Sequence, residues 1–117
     1  MRNFNLSEFD SRDEEGSGRY MDESFLLMID DARDYANRPF VITSGYRTEA
    51  HNREVGGSPT SSHLFGYAAD ISCADSESRI RMVYGLMKAG FRRIGIASNF
   101  IHVDNDPKKP KALWLYK

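Results

Sequence analysis

Apolar residues recur at steps of three and four between Asp22 and Asn37, which is the spacing of one face of an α-helix. This pattern predicts a helix that covers the core. Pro39 is expected to end it, because the residue before a proline avoids the helical region. The apolar face of this helix comprises Phe25, Met28, Ile29, Ala32 and Ala36.

A second helical pattern runs from Ser76 to Ala89. Ser76 is suited to the N-cap, and Gly90 is typical of the position that follows a helix. A shorter helix is expected over residues 48–55, where two glycines follow. In the second long helix we predict a buried stripe formed by Ile80, Val83, Tyr84 and Met87.

Short runs rich in β-branched and aromatic residues predict the strands. They are "FVITS" (40–44), "AADIS" (68–72), "FRRIGIA" (91–97), "FIHVD" (100–104) and "ALWLY" (112–116). The turn-rich "NDPKKPK" separates the last two runs and predicts a hairpin between them. Long helices and clustered strands without regular crossovers favour an α+β fold, with a mainly antiparallel sheet flanked by helices.

Composition limits the size of the protein and its partners. The chain has 117 residues, 40% of them hydrophobic, which fits one domain over 1–117, with the polar segment 1–20 packed on it or leading into it. A formal net charge of −1 argues against binding to nucleic acid. The single cysteine, Cys73, is expected to be a buried thiol. We expect a monomer that does not bind membranes.

Two of the predicted strands carry a polar front and an apolar back. The period of two places Asp70 on the same face as Ala68 and Ser72, and it places His102 on the same face as Asp104. A carboxylate such as Asp70 would be costly to bury without a partner. We therefore expect a cation next to it.

Two histidines and one aspartate together suggest a metal site. His63, Asp70 and His102 would form the set of two imidazoles and one carboxylate that is typical of a catalytic Zn²⁺. Spacing alone leaves other interpretations open, because the chain lacks a helical HExxH motif. A histidine can be a surface residue, and a His/Asp pair can be a simple buried hydrogen bond.

A family resemblance adds to this interpretation. The stretch "SSHLFGYAADI" resembles the SxHxxGxAxD motif of the zinc D-Ala-D-Ala carboxypeptidases, peptidase family M15. The upstream "ITSGYRTEAHNREVGG" and the downstream "FIHVD" are similar to the other two blocks of that family. The opening "LSEFDSRDEEGSGRYMD" resembles the short phage and prophage members, which are single-domain cell-wall hydrolases.

The resemblance implies a hedgehog/DD-peptidase-like fold and one Zn²⁺ held by His63, Asp70 and His102. It also implies that Arg47 faces the site and stabilises the substrate carbonyl or carboxylate. Ser61 is expected either to orient the substrate or to cap its loop. On the last strand, Trp114 and Tyr116 share a face and either line the cleft or pack in the core: the sequence favours neither.

The general base is the point where the resemblance fails. Many family members place an acidic residue three positions before the last zinc histidine, whereas this chain has Asn99 there. Asp104 is the nearest carboxylate to His102 along the strand and is our candidate for carrying protons. It could instead orient the His102 imidazole. Glu49 is a weaker candidate base, and His51 is expected to be either a solvated helix residue or part of the rim.

The function that the resemblance implies is hydrolysis of an amide bond in peptidoglycan stem peptides by a zinc metallopeptidase. The sequence does not distinguish a D-Ala-D-Ala carboxypeptidase from an L-Ala-D-Glu endopeptidase. The opening "MRNFNLSEFDSRDEEG" contains no apolar run and predicts no signal peptide, so we expect a phage or prophage lysin made in the cytoplasm that reaches the wall after release. The alternatives are a zinc-containing wall-binding or structural module without catalysis, and an α+β interaction domain without a metal.

Overall fold

The computed structural model describes residues 1–116. Three α-helices and five strands alternate with short 3₁₀ turns. The helices are α1 (Glu23–Ala36), α2 (Glu49–Glu54) and α3 (Ser76–Lys88). The strands are β1 (Ile42–Ser44), β2 (Ala68–Ser72), β3 (Arg93–Ile96), β4 (Phe100–Asp104) and β5 (Ala112–Leu115). Among residues 1–116, no helix has the length and hydrophobicity needed to cross a bilayer.

The five strands form one sheet in the order β1-β2-β4-β3-β5. All neighbours are antiparallel except β3 and β5, which run parallel at one edge. This mixed arrangement with flanking helices confirms the α+β class. The predicted hairpin between β4 and β5 is wrong. Strand β4 already pairs with β2 on one side and β3 on the other, so β5 has to pass to the free edge of β3.

Helix α1 follows the pattern that the sequence predicts. It begins where the Asp22 carboxylate accepts a hydrogen bond from the Phe25 backbone N–H, at 2.9 Å. It ends before Pro39, because Asn37 adopts the left-handed conformation with φ 52°. Of the predicted apolar face, Met28 is half-buried and the other four residues are buried.

Helix α3 buries a different face from the one predicted. Of the predicted stripe, Ile80, Tyr84 and Met87 are exposed, whereas Val83 is half-buried against the core. The helix packs through its Met82, Gly85 and Leu86 side. The physical reason is the close approach to α1 at Gly85, where an added Cβ would lie 2.4 Å from a backbone oxygen of that helix. Glycine carries no apolar side chain and therefore does not register in a hydrophobic stripe. The N-cap is also one residue earlier, at Asp75.

The back of the sheet and the two long helices enclose the core. The apolar backs of β2 and β4 are fully buried, as the period of two predicts. Cys73 is a buried free thiol, in agreement with the expectation from its isolation. The core residues contributed by β2, β3 and β4 are Ala69, Ile71, Ile94, Ile101 and Val103.

The N-terminal segment is part of this core rather than a purely polar lead into α1. Phe4 and Phe9 are buried in it. The Phe9 carbonyl accepts a hydrogen bond from the Tyr46 backbone N–H at 2.9 Å. A Cβ on Gly45 would lie 2.6 Å from the Phe9 Cα, so glycine permits the close contact between the two segments. The N-terminal segment thus braces the loop that carries Arg47.

Replacing Phe9 should test this brace. Phe9→Ala removes a fully buried ring and is expected to lower the free energy of unfolding by about 3–5 kcal/mol, through lost burial and the cavity left behind. Denaturant unfolding followed by circular dichroism measures the change. Leu6→Ala, at an exposed position of the same segment, is the control and should change stability by less than about 0.5 kcal/mol. Equal losses in both variants would contradict a packed role for Phe9.

Candidate metal centre

Three elements bring His63, Asp70 and His102 together. His63 lies in the 3₁₀ turn Ser62–Phe65, Asp70 in β2 and His102 in β4. Asp70 and His102 are direct partners in the antiparallel ladder, so their side chains leave the same face side by side. One ligand atom from each of the three residues lies within 4.8 Å of the other two. The structure therefore places the predicted set at a single point.

The imidazole of His63 is fixed from behind. Its Nδ1 lies 2.8 Å from the Gly45 carbonyl oxygen, which can only accept, so Nδ1 carries the proton and Nε2 is the free base. This Nε2 lies 3.4 Å from Asp70 Oδ1. Ser61 caps the turn, because its hydroxyl accepts a hydrogen bond from the His63 backbone N–H at 3.3 Å. Burial of the ring lowers the His63 pKa, against the opposing effect of Asp70.

His102 is fixed in the same manner by a different acceptor. Its Nε2 donates to Asp104 Oδ2 at 2.8 Å, and its Nδ1 lies 3.0 Å from Asp70 Oδ1. Burial opposes a positive charge on this imidazole, but hydrogen bonds to Asp104 and Asp70 outweigh it and raise the His102 pKa. The His102 side chain thus lies between two carboxylates, both of which favour positive charge on the imidazole.

This donor set fits a divalent metal ion. Nε2 of His63 and Nδ1 of His102 approach the same oxygen, Asp70 Oδ1, at 3.4 and 3.0 Å, so the three candidate ligand atoms face one point. Each imidazole has its other nitrogen held by an oxygen acceptor, which is the usual arrangement of metal-binding histidines. Burial would raise the Asp70 pKa, but the two imidazoles beside the carboxylate outweigh burial and keep that pKa well below its usual range. Asp70 is therefore ionised, as a ligand must be.

Asp104 is buried, and both of its carboxylate oxygens are engaged. Oδ2 accepts from His102 Nε2, while Oδ1 accepts from Arg93 Nε at 2.8 Å and from the Asp106 backbone N–H at 3.1 Å. The residue is only 1% exposed. Burial opposes its ionisation, but the hydrogen bond from His102 and nearby charges lower the Asp104 pKa. This carboxylate is held as an anion behind His102.

Arg47 faces the site on the opposite side of Asp70. Its Nη2 lies 3.4 Å from Asp70 Oδ2, and its side chain is 15% exposed. Nε donates to Ser44 Oγ at 3.0 Å and Nη1 donates to Asn52 Oδ1 at 3.3 Å. Burial lowers the Arg47 pKa and the charge of Asp70 opposes that shift. The guanidinium is therefore held in place by two polar side chains and is directed at the three convergent residues.

These residues lie in a cleft of about 350 Å³. Polar side chains of residues 58–62 line one side, and aromatic side chains of β4 and of residues 114–116 line the other. Its lining side chains are Arg47, Ser58, Ser61, Ser62, His63, Asp70, Arg93, Phe100, His102, Asp104, Lys109, Trp114 and Tyr116. The sequence left open whether Trp114 and Tyr116 line the cleft or pack in the core. The structure shows that both line the cleft.

The other candidates lie outside the cleft. His51 lines a neighbouring hollow with Arg12 and Glu54, and Glu49 is exposed at the start of α2. Asn99 is exposed in the turn before β4, where its backbone carbonyl accepts a hydrogen bond from Cys73. None of these side chains is among those that line the cleft within residues 1–116.

Sequence reasoning missed Arg93 and Lys109. Lys109 Nζ donates to Ser62 Oγ and to the Thr60 carbonyl oxygen, each at 2.8 Å, and the Ser62 hydroxyl donates to Asp106 Oδ2 at 2.8 Å. The period of two in "FRRIGIA" would have placed Arg93 on the same face as Gly95 and thus on the front of the sheet. No sequence signal points to Lys109, because its position depends on the path of the loop after β4.

Comparison with known families supports the resemblance. The peptidase M15 family model matches residues 2–104, which include all three convergent side chains, Arg47 and Asp104 but not β5. Comparison with curated proteins gives no match. A family match over most of the chain supports peptidase activity in the general sense. The chain belongs to the peptidase M15 family.

Proposed function

We propose that the protein is a zinc metallopeptidase that hydrolyses an amide bond in peptidoglycan stem peptides. The observation that carries the proposal is the convergence of His63, Asp70 and His102, whose candidate ligand atoms lie within 4.8 Å of one another. Two imidazoles and a carboxylate are the donor set of many catalytic zinc sites. The stem peptide as substrate rests on family membership and on the motif likeness.

Each of this chain's residues has a separate task in the proposed reaction. His63, Asp70 and His102 would hold Zn²⁺, which supplies a Lewis acid that polarises a carbonyl and activates water. Arg47, fixed by Ser44 and Asn52, donates hydrogen bonds toward the substrate oxygen on which negative charge develops. Ser61 holds the His63 turn and lines the cleft, so it is placed to contact the bound peptide.

Asp104 is best suited to orienting His102. Both of its oxygens already accept hydrogen bonds, and the residue is buried behind the imidazole. A carboxylate that carries protons to a leaving amine must reach the substrate, directly or through water. We therefore propose that Asp104 holds His102 in position and stabilises positive charge on it, rather than carrying protons.

Asp104→Asn tests this assignment. The amide presents an N–H₂ group where one of the hydrogen-bond acceptors stood, so we expect zinc affinity to fall by about 10–100-fold. Hydrolysis at saturating zinc should stay near that of the parent. Zinc titration and rates at several zinc concentrations measure the two effects, with Glu15→Gln at an exposed position as the control. Unchanged zinc affinity with lost hydrolysis would identify Asp104 as the proton carrier instead.

One observation favours a second function. The carboxylates that line the cleft within residues 1–116 are Asp70 and Asp104, and both are engaged by hydrogen bonds or ion pairs. With Asn99 at the usual position of the base, a metal-containing module that binds the cell wall without hydrolysing it is the alternative. Such a module would keep the metal and the cleft but release no peptide.

Digestion of purified sacculi distinguishes the two functions. The zinc-loaded protein is expected to release or shorten stem peptides, and a chelator should abolish this change. Mass spectrometry of the muropeptides detects activity and identifies the bond that is cut, either the terminal D-Ala-D-Ala bond or the L-Ala-D-Glu bond. A zinc-loaded protein that leaves all muropeptides intact would support the wall-binding module. The biological setting we propose is that of a phage or prophage lysin, a monomer that acts on the wall after release.

A further inference from the structure

Gly95 lies beside the metal centre in an unusual position for a glycine. It is in the middle of β3, where it pairs with His102 on one side and with Trp114 on the other. An added Cβ would lie 2.5 Å from Trp114 Cε2 and 2.7 Å from Tyr116 Cε2. The rings of Trp114 and Tyr116 therefore lie over the backbone of β3, on the side toward His102. Glycine within a strand is unfavourable unless something approaches its backbone closely, as these rings do.

The rings form a surface that continues from the metal centre, and we call it the aromatic wall: Phe100, Trp114 and Tyr116. The Trp114 ring centroid lies 5.5 Å from that of His102. Tyr116 lies 5.2 Å from Phe100 and 6.2 Å from Trp114, again between ring centroids. All three side chains line the same cleft as His63 and Asp70.

We propose that the aromatic wall binds an apolar side chain of the peptide substrate next to the bond that is cut. The substrate part of this proposal rests on the proposed function. Trp114 and Tyr116 lie beyond residues 2–104, the part of the chain that the family model matches, so these two rings, unlike Phe100, are additional to the family motifs. Aromatic rings that close one side of a peptide cleft bury apolar area and exclude water from the reacting groups.

Charge decides which side chain the wall accepts. An aromatic surface can also bind an ammonium group by cation–π attraction. Here the Arg93 guanidinium already lies over the Trp114 ring, 5.1 Å from its centroid. Arg47 and Lys109 add two further positive charges to the same cleft, so its basic side chains outnumber its two carboxylates, Asp70 and Asp104. A cationic side chain would meet these like charges, whereas a methyl or other aliphatic group of an alanine-containing stem peptide would not.

Binding can be observed directly because Trp114 is the single tryptophan of the chain. Titration of the zinc-loaded protein with a purified disaccharide-pentapeptide muropeptide is expected to change the tryptophan emission. The same titration with a chelator present measures binding without turnover. Constant emission up to millimolar muropeptide in both titrations would overturn the proposal.

Substitutions on the two faces of the C-terminal strand region test the contact. Tyr116→Ala should weaken muropeptide binding and raise KM about tenfold, with zinc content unchanged. Tyr116→Phe keeps the ring and should behave as the parent. Leu113→Ala is the matched control, because Leu113 is 71% exposed on the opposite face of β5. Equal losses in the phenylalanine and alanine variants would overturn an apolar contact, as would an unchanged KM in Tyr116→Ala.

Gly95→Ala provides a second, independent test. The new Cβ would displace both rings from the cleft, so KM and the emission response should change together, as in Tyr116→Ala. Emission that responds to muropeptide without any hydrolysis would retain the aromatic wall and reject the peptidase. Hydrolysis with a parental KM in both variants would reject the wall and retain the peptidase.

Discussion

Asp70→Ala is expected to abolish both zinc retention and amide hydrolysis. Asp70 is the central member of the convergent set, since its Oδ1 faces His63 Nε2 at 3.4 Å and His102 Nδ1 at 3.0 Å. Without this carboxylate the two imidazoles supply two neutral donors, and the anionic member of the site is lost. Metal analysis after dialysis measures zinc per protein, and muropeptide mass spectrometry measures hydrolysis.

Two variants make the Asp70 result specific. Ser72→Ala changes an exposed residue two positions along the same face of β2 and should retain zinc and activity. Asp70→Asn keeps the shape of the side chain but removes its charge, and we expect zinc binding between those of the parent and Asp70→Ala. Circular dichroism checks that all three variants fold. If Asp70→Ala binds zinc as tightly as the parent, the ligand assignment is wrong.

Local patterns in the sequence indicate each of the three residues separately, and the family resemblance predicts that they converge. The period of two places Asp70 and His102 on the polar fronts of their strands, and the structure shows these residues as direct partners. His63 enters through a short motif in which a serine caps the turn. Whether these residues bind zinc is still a prediction, and their meeting was predicted only with the family resemblance, because periodicity does not show which strands pair.

The features that the sequence did not predict depend on contacts between distant segments. The buried face of α3 is set by Gly85, which allows close packing on α1 and has no side chain to mark it. Strand β5 was expected to pair with β4, its neighbour along the chain, and instead runs parallel to β3. Turn composition predicts that a chain reverses, but it does not show which strand edge is free. The aromatic wall depends on this same topology.

Arg47→Ala is expected to lower kcat by about 10²–10³-fold while zinc is retained, the usual effect of removing one donor to a developing oxyanion. Arg47 is held by Ser44 and Asn52 and lies on the far side of Asp70 from the histidines. It repels a bound cation, so its removal should leave zinc affinity equal to that of the parent or higher. The direction of the change in zinc affinity therefore distinguishes Arg47 from Asp70, whose loss must weaken zinc binding.

Two further variants at positively charged residues complete the Arg47 test. Arg53→Ala removes an exposed positive charge from α2, the helix that follows the Arg47 loop, and should have a parental kcat, which excludes a general effect of net charge. Arg47→Lys keeps the charge but has no planar group to contact Ser44 and Asn52 together, so it should recover only part of the rate. Loss of zinc together with activity in Arg47→Ala would show that Arg47 maintains the site. A kcat unchanged in Arg47→Ala would remove it from the reaction, because a donor used only in the transition state affects kcat directly.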